Sequence, residues 1–168
     1  MKYLPLFAVV ASAAMLTGCN EAKVAEKPLN VVSGHIVMPA APDGPAVGYF
    51  RVQGGPQPVQ LVAVTADLAQ RVEMHETKKE NGVLTMEELD AADVPAKGEL
   101  VFKQGGKHLM IWGINGAAVR AGKLPMQFLF TNNNNDRILF DMVIKPAAGA
   151  EAGEGDVPLP PSHEGMKH

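Results

Sequence analysis

Two runs near the C-terminal end alternate so cleanly that they settle the class of fold. Leu124, Met126, Phe128 and Phe130 are separated by single residues, and Ile138, Phe140, Met142 and Ile144 repeat the pattern. A period of two puts all the apolar side chains of a run on one face of an extended strand, and such a face requires a core to cover it. The polar segment TNNNND at 131–136 lies between the runs and predicts a hairpin loop. Earlier in the chain, Val31–Met38, Ala46–Val52 and Val59–Thr65 read as further short strands, punctuated by the turn-rich Pro39–Pro45 and by Gly54-Gly55-Pro56. In the third of these, Val59, Leu61 and Ala63 are expected to point inward. No long amphipathic helical pattern appears, and the 17 glycines and 13 prolines suit a chain of strands and turns. The expected class is all-β, an antiparallel sandwich or small barrel.

The N-terminal stretch MKYLPLFAVVASAAMLTGC has a different character. Lys2 supplies a short basic region, and the apolar run Leu4–Leu16 is too short to remain as a membrane-spanning helix. The run ends in Leu16-Thr17-Gly18-Cys19, which resembles a bacterial lipobox, with residues 1–18 removed as a signal peptide and Cys19 lipidated. The polar residues 19–28 then read as a tether and 29–145 as the folded domain. The Ala/Gly/Pro/acidic stretch 146–168 has too little apolar surface to offset its ordering entropy and is expected to be disordered.

Cys19 is the only cysteine. A lipidated Cys19 leaves no free thiol in the domain, so paired-cysteine zinc sites and the Cys-containing blue-copper site are excluded. With 20% charged residues and a net charge of −3, nucleic acid is not an expected partner. Neither a carboxylate pair, nor a nucleophile–base arrangement, nor a phosphate-binding glycine loop stands out, so an enzyme is not expected.

The chemistry sits in the spacing His75-x10-Met86-x21-His108-x-Met110. Arg71, Glu73 and His75 alternate with Val72 and Met74, so His75 belongs to a polar face and Met74 to the core. Asn81-Gly82 predicts a type I′ hairpin turn. With that turn Thr77 opposes Met86, and Met86 lies diagonal to His75 on the same face. His108 and Met110 share a face with Trp112, while Leu109 and Ile111 point into the core. Two imidazoles and two thioethers make a soft, uncharged donor set that suits Cu(I). A face-to-face arrangement of the two pairs does not follow from sequence. Met126 and Met142 read as core, and His35 and Met38 as core or surface residues.

These segments resemble the periplasmic copper chaperones of the PCuAC family. The resemblance rests on this spacing, on MHETKKENGVLTM (74–86) and on GGKHLMIWGI (105–114), and it covers about residues 30–145. It implies a cupredoxin-like, immunoglobulin-like Greek-key antiparallel β-sandwich with Cu(I) held by His75, Met86, His108 and Met110. It also implies delivery toward the copper A centre of cytochrome c oxidase, alongside a Sco-like thioredoxin-fold partner. Two features depart from the family: the first strand carries His35 where a tryptophan is expected, and a lipobox stands in place of a plain signal peptide. The expected protein is therefore a monomeric periplasmic lipoprotein, with the outer membrane the expected side. Family members with His/Met-rich tails suggest a second copper, Cu(II), at His163, Met166 and His168; a solvated terminus remains the other reading. A copper-storage or resistance protein, or a metal-free envelope lipoprotein, are the alternative functions.

Overall fold

The computed structural model describes residues 26–41, 43–131 and 136–147. Its strands are β1 (Asn30–Val37), β2 (Ala46–Gln53), β3 (Val59–Thr65), β4 (Arg71–Glu80), β5 (Val83–Glu88), β6 (Ala92–Val94), β7 (Glu99–Phe102), β8 (Lys107–Trp112), β9 (Lys123–Thr131) and β10 (Arg137–Lys145). Among the described residues there is one short helix, α1 (Gly116–Ala121), which precedes β9.

The strands follow the order β5-β4-β8-β2-β1-β10-β9-β3-β6, with β7 joined to β2 beyond the end of β8. The ladder folds over on itself and closes an all-β sandwich. Phe50 of β2 stacks on Phe102 at 4.2 Å and meets Phe128 of β9 edge-on at 4.9 Å, joining the two layers. Around these rings lie Leu61, Leu109, Ile111, Leu124, Met126, Phe130 and Met142, all buried.

The alternation in the last two strands is fully realised in β9, where all four expected residues are buried. In β10 only Met142 is buried, and Ile138, Phe140 and Ile144 are half-covered against the core. In β3 the expected phase holds only at its start. A bulge between Leu61 and Ala63 slips the register, so that Val64 rather than Ala63 is buried. Pairing is antiparallel throughout except between β1 and β10, which run parallel. The antiparallel sandwich expected from sequence thus contains one parallel seam, joining its first and last strands.

The tail expected over 146–168 lies almost wholly outside the described residues, as do Cys19 and residues 19–25 of the tether. Residues 26–28, assigned to that tether, lie against the end of the sandwich. Glu26 pairs with Lys97 at 2.7 Å, and the Pro28 carbonyl accepts a hydrogen bond from the Gln53 amide at 3.0 Å.

Candidate metal centre

The site is built on the outer face of three neighbouring strands. In β4, Met74 is buried and Val72 packs against the core, so Arg71, Glu73, His75 and Thr77 take the opposite face. In β8, Leu109 and Ile111 are buried inward, which sends His108, Met110 and Trp112 to that same outer face. The β4–β8 register sets Arg71 opposite Trp112, Glu73 opposite Met110 and His75 opposite His108.

Asn81 and Gly82 both have positive φ, 51° and 84°, as the tight turn between β4 and β5 requires. The turn fixes the pairing Thr77–Met86, with Lys78 opposite Thr85 and Glu80 opposite Val83, as the sequence predicts. Met86 therefore reaches the outer face diagonal to His75. Diagonal cross-strand neighbours lie roughly 7–8 Å apart. The four residues singled out by spacing share one face of three adjacent strands.

The two imidazoles are direct cross-strand neighbours, with ring centroids 6.1 Å apart and planes inclined by 25°. Each ring has one nitrogen engaged. His108 Nδ1 donates to the Gly106 carbonyl at 2.9 Å, and His75 Nε2 donates to Glu73 Oε2 at 3.0 Å. A neutral imidazole with one N–H committed offers its other nitrogen as a lone pair. His75 Nδ1 is buried and has no hydrogen-bond partner. Buried polar atoms left without a partner are rare in folded proteins, so this nitrogen is suited to an added ligand. A ring nitrogen tied to a carboxylate or carbonyl while the other stays free is the usual arrangement of a metal-binding histidine.

Burial divides the set. His108 is only 7% exposed and the His75 side chain 14%, whereas Met86 is 55% exposed. The polar face expected for His75 is thus a floor of two covered imidazoles, with one thioether standing open beside it. Met110 is half-buried next to Glu73. Trp112 lies under the Arg71 guanidinium at 4.0 Å from its ring centroid. Among the described residues, no group of three or more His, Cys, Asp or Glu side chains is arranged to hold a metal.

The residues set aside by sequence behave as expected. Met126 and Met142 are fully buried, Met38 packs on the core's edge, and His35 lies against Tyr49 at 5.5 Å. His163, Met166 and His168 fall outside the described residues. Sequence reasoning passed over Glu73 and Gly106 as partners of the two imidazoles. Glu73 had a signal, its position two residues before His75 on the same strand face; the Gly106 carbonyl, being backbone, had none.

This fold is that of PCuAC domains. The copper-bound PCuAC domain from PmoF2 superposes with a TM-score of 0.55 at 16% identity, covering 72% of this chain and 97% of that domain. The apo PCuAC domain from PmoF1 gives 0.53 at 18% identity over 72% of this chain and 98% of its own. Apo-DR1885 from Deinococcus radiodurans gives 0.50 at 17% identity, covering 87% of this chain and 96% of its own. The chain itself belongs to the LpqE-like lipoprotein family, whose model matches residues 29–141. A protein of Leifsonia xyli subsp. xyli (strain CTCB07) named "Putative lipoprotein Lxx21020" is 26% identical over 91 residues; the match spans 54% of this chain and 54% of that protein, about half the length of each. Among the described residues, no helix is long and apolar enough to cross a membrane.

Proposed function

We propose that this protein is a lipid-anchored copper carrier that takes up Cu(I) as cargo on His75, Met86, His108 and Met110. The observation that carries the reading is the His75–His108 cross-strand pair, with its buried, unpartnered Nδ1 and two methionines on the same face. The shared fold with a copper-bound domain supports it. Two imidazoles and two thioethers match a soft monovalent ion better than a hard divalent one. Thioethers also remain usable in an oxidising compartment, where a free thiol would be consumed.

The uneven burial favours transfer over storage. A receiving protein must approach the ion and exchange donors one at a time, and Met86 is the donor it would meet first. Delivery to the copper subunit of cytochrome c oxidase, with a Sco-like partner, is the physiological route we favour. Lipidation of Cys19 would hold the carrier at a membrane facing the periplasm, the outer membrane by our reading, and the protein would work as a monomer. We place no catalytic step on the site. A second copper, as Cu(II), on His163, Met166 and His168 is part of the proposal, and removing residues 146–168 tests it: stoichiometry falls if the tail binds metal and is unchanged if it does not.

The deciding experiment is an anaerobic Cu(I) titration of the chain from Asn20 onward against a chromophoric competitor. The expected result is one tightly bound Cu(I) at the strand face. Met86→Leu and Met110→Leu, which conserve volume, should each weaken binding by about tenfold or more, ~1.4 kcal/mol, with the fold retained. An absence of competition by the unaltered chain would leave the metal-free envelope lipoprotein as the reading.

A further inference from the structure

The segment Arg71-Val72-Glu73-Met74-His75 places three polar side chains in line on the outer face of β4, and β8 sets Trp112 opposite the first of them. The four groups form an unbroken chain. The Arg71 guanidinium lies over the Trp112 ring at 4.0 Å, Arg71 Nε pairs with Glu73 Oε1 at 3.1 Å, and Glu73 Oε2 accepts from His75 Nε2 at 3.0 Å.

Each link limits the next. An ionised carboxylate only accepts hydrogen bonds, so the His75 nitrogen facing Glu73 must carry the proton. The lone pair of the neutral ring then lies on Nδ1, the atom that is buried and unpartnered. Both Glu73 oxygens are engaged, one by Arg71 and one by His75, so the carboxylate cannot turn without breaking a contact. Arg71 is the weak point, because its side chain is 58% exposed and a solvent-exposed ion pair holds little by itself. Stacking on the indole supplies the second restraint, and a planar guanidinium can make both contacts at once.

We propose that Arg71 and Glu73 are positioning residues: the Trp112-stacked guanidinium holds Glu73, and Glu73 pins the His75 proton on Nε2 so that Nδ1 is the nitrogen presented to the metal. This rests on reading His75 as a ligand, yet its first half is a property of the metal-free chain. The two imidazoles then donate through different atoms, Nδ1 from His75 and Nε2 from His108, whose own Nδ1 is tied to Gly106.

The test uses the mature chain carrying Cys19→Ser, without metal and then with Cu(I). Proton NMR of the metal-free protein should show a His75 Nε2–H resonance protected from solvent exchange. Glu73→Ala should abolish that resonance and weaken Cu(I) binding on the order of 10–100-fold. Glu73→Gln keeps an accepting oxygen and a matching shape, and should restore the resonance and most of the affinity. Arg71→Ala should shift the emission of Trp112, the only tryptophan, and broaden the same resonance. A protected Nε2–H that survives in Glu73→Ala overturns the proposal, whatever happens to affinity. So does a protected His75 Nδ1–H in the unaltered chain. Failure of the protein to bind copper would count against the proposed function alone, because the proton signature is read before metal is added.

Discussion

The strands β5 and β8 are each six residues long and both reach the candidate site, yet they belong to different parts of the molecule. β8 lies between β4 and β2, with Leu109 and Ile111 in the core and His108 covered. β5 is the edge of the ladder, paired only with β4, and every one of its residues is exposed. Local opening free energies follow buried contact, so β5 is expected to open at a lower cost than β8. The comparison teaches that the four candidate residues span a boundary between core-tied and exposed strands. The imidazoles stand on strands tied into the core, and Met86 on an edge strand exposed along its whole length. On the copper-carrier reading proposed above, such a site would hold the ion on a fixed floor and release it from one side.

Leucines in the two strands offer a direct way to break the comparison. Leu109→Ala removes a fully buried side chain from β8 and should cost about 2–5 kcal/mol in urea or thermal unfolding. Leu84→Ala in β5, where the side chain is 69% exposed, should stay within about 0.5 kcal/mol. Similar losses in both would mean that β5 is covered in solution and that the boundary does not exist. A smaller effect sharpens the picture by titrating the frame outside both strands. Burial, then the nearby Lys145, hold the His35 imidazole below its ordinary value. The unfolded chain therefore takes up the proton more readily than the folded one. Stability should be unaffected above the ordinary imidazole range and fall modestly as pH drops from there toward the lowered folded value. Unfolding curves of His35→Gln should lack that slope.

Local chemistry made much of this legible beforehand. Asn81-Gly82 specifies a turn whose geometry dictates every pair from Glu80–Val83 to Thr77–Met86, so the placement of Met86 follows from two residues. The same holds for β9, where strict alternation and strict burial coincide. What stayed hidden depends on pairing between distant segments. Nothing in His75 or His108 announces that their strands are neighbours, and that adjacency is what unites the two donor pairs. The bulge in β3 is a slip of backbone register, invisible to side-chain period. Helix α1 has a proper cap at Asn115 and a left-handed Gly122 at its end, but at six residues it is too short for a helical period to show. How far the imidazoles are covered was not legible, because alternation separates core face from outer face without saying how far the outer face is covered.

The parallel seam between β1 and β10 has a consequence for how the molecule stands. His35 pairs with Val143 and Val37 with Lys145, so the first strand begins at one end of the sandwich and the last strand finishes at the other. The sandwich therefore has two poles. Glu26, clasped to Lys97, marks the pole where the chain enters, and Lys145 the pole where it leaves, roughly 26 Å away along β1. On the lipid-anchored reading proposed above, the first pole is the one nearer the anchor in sequence.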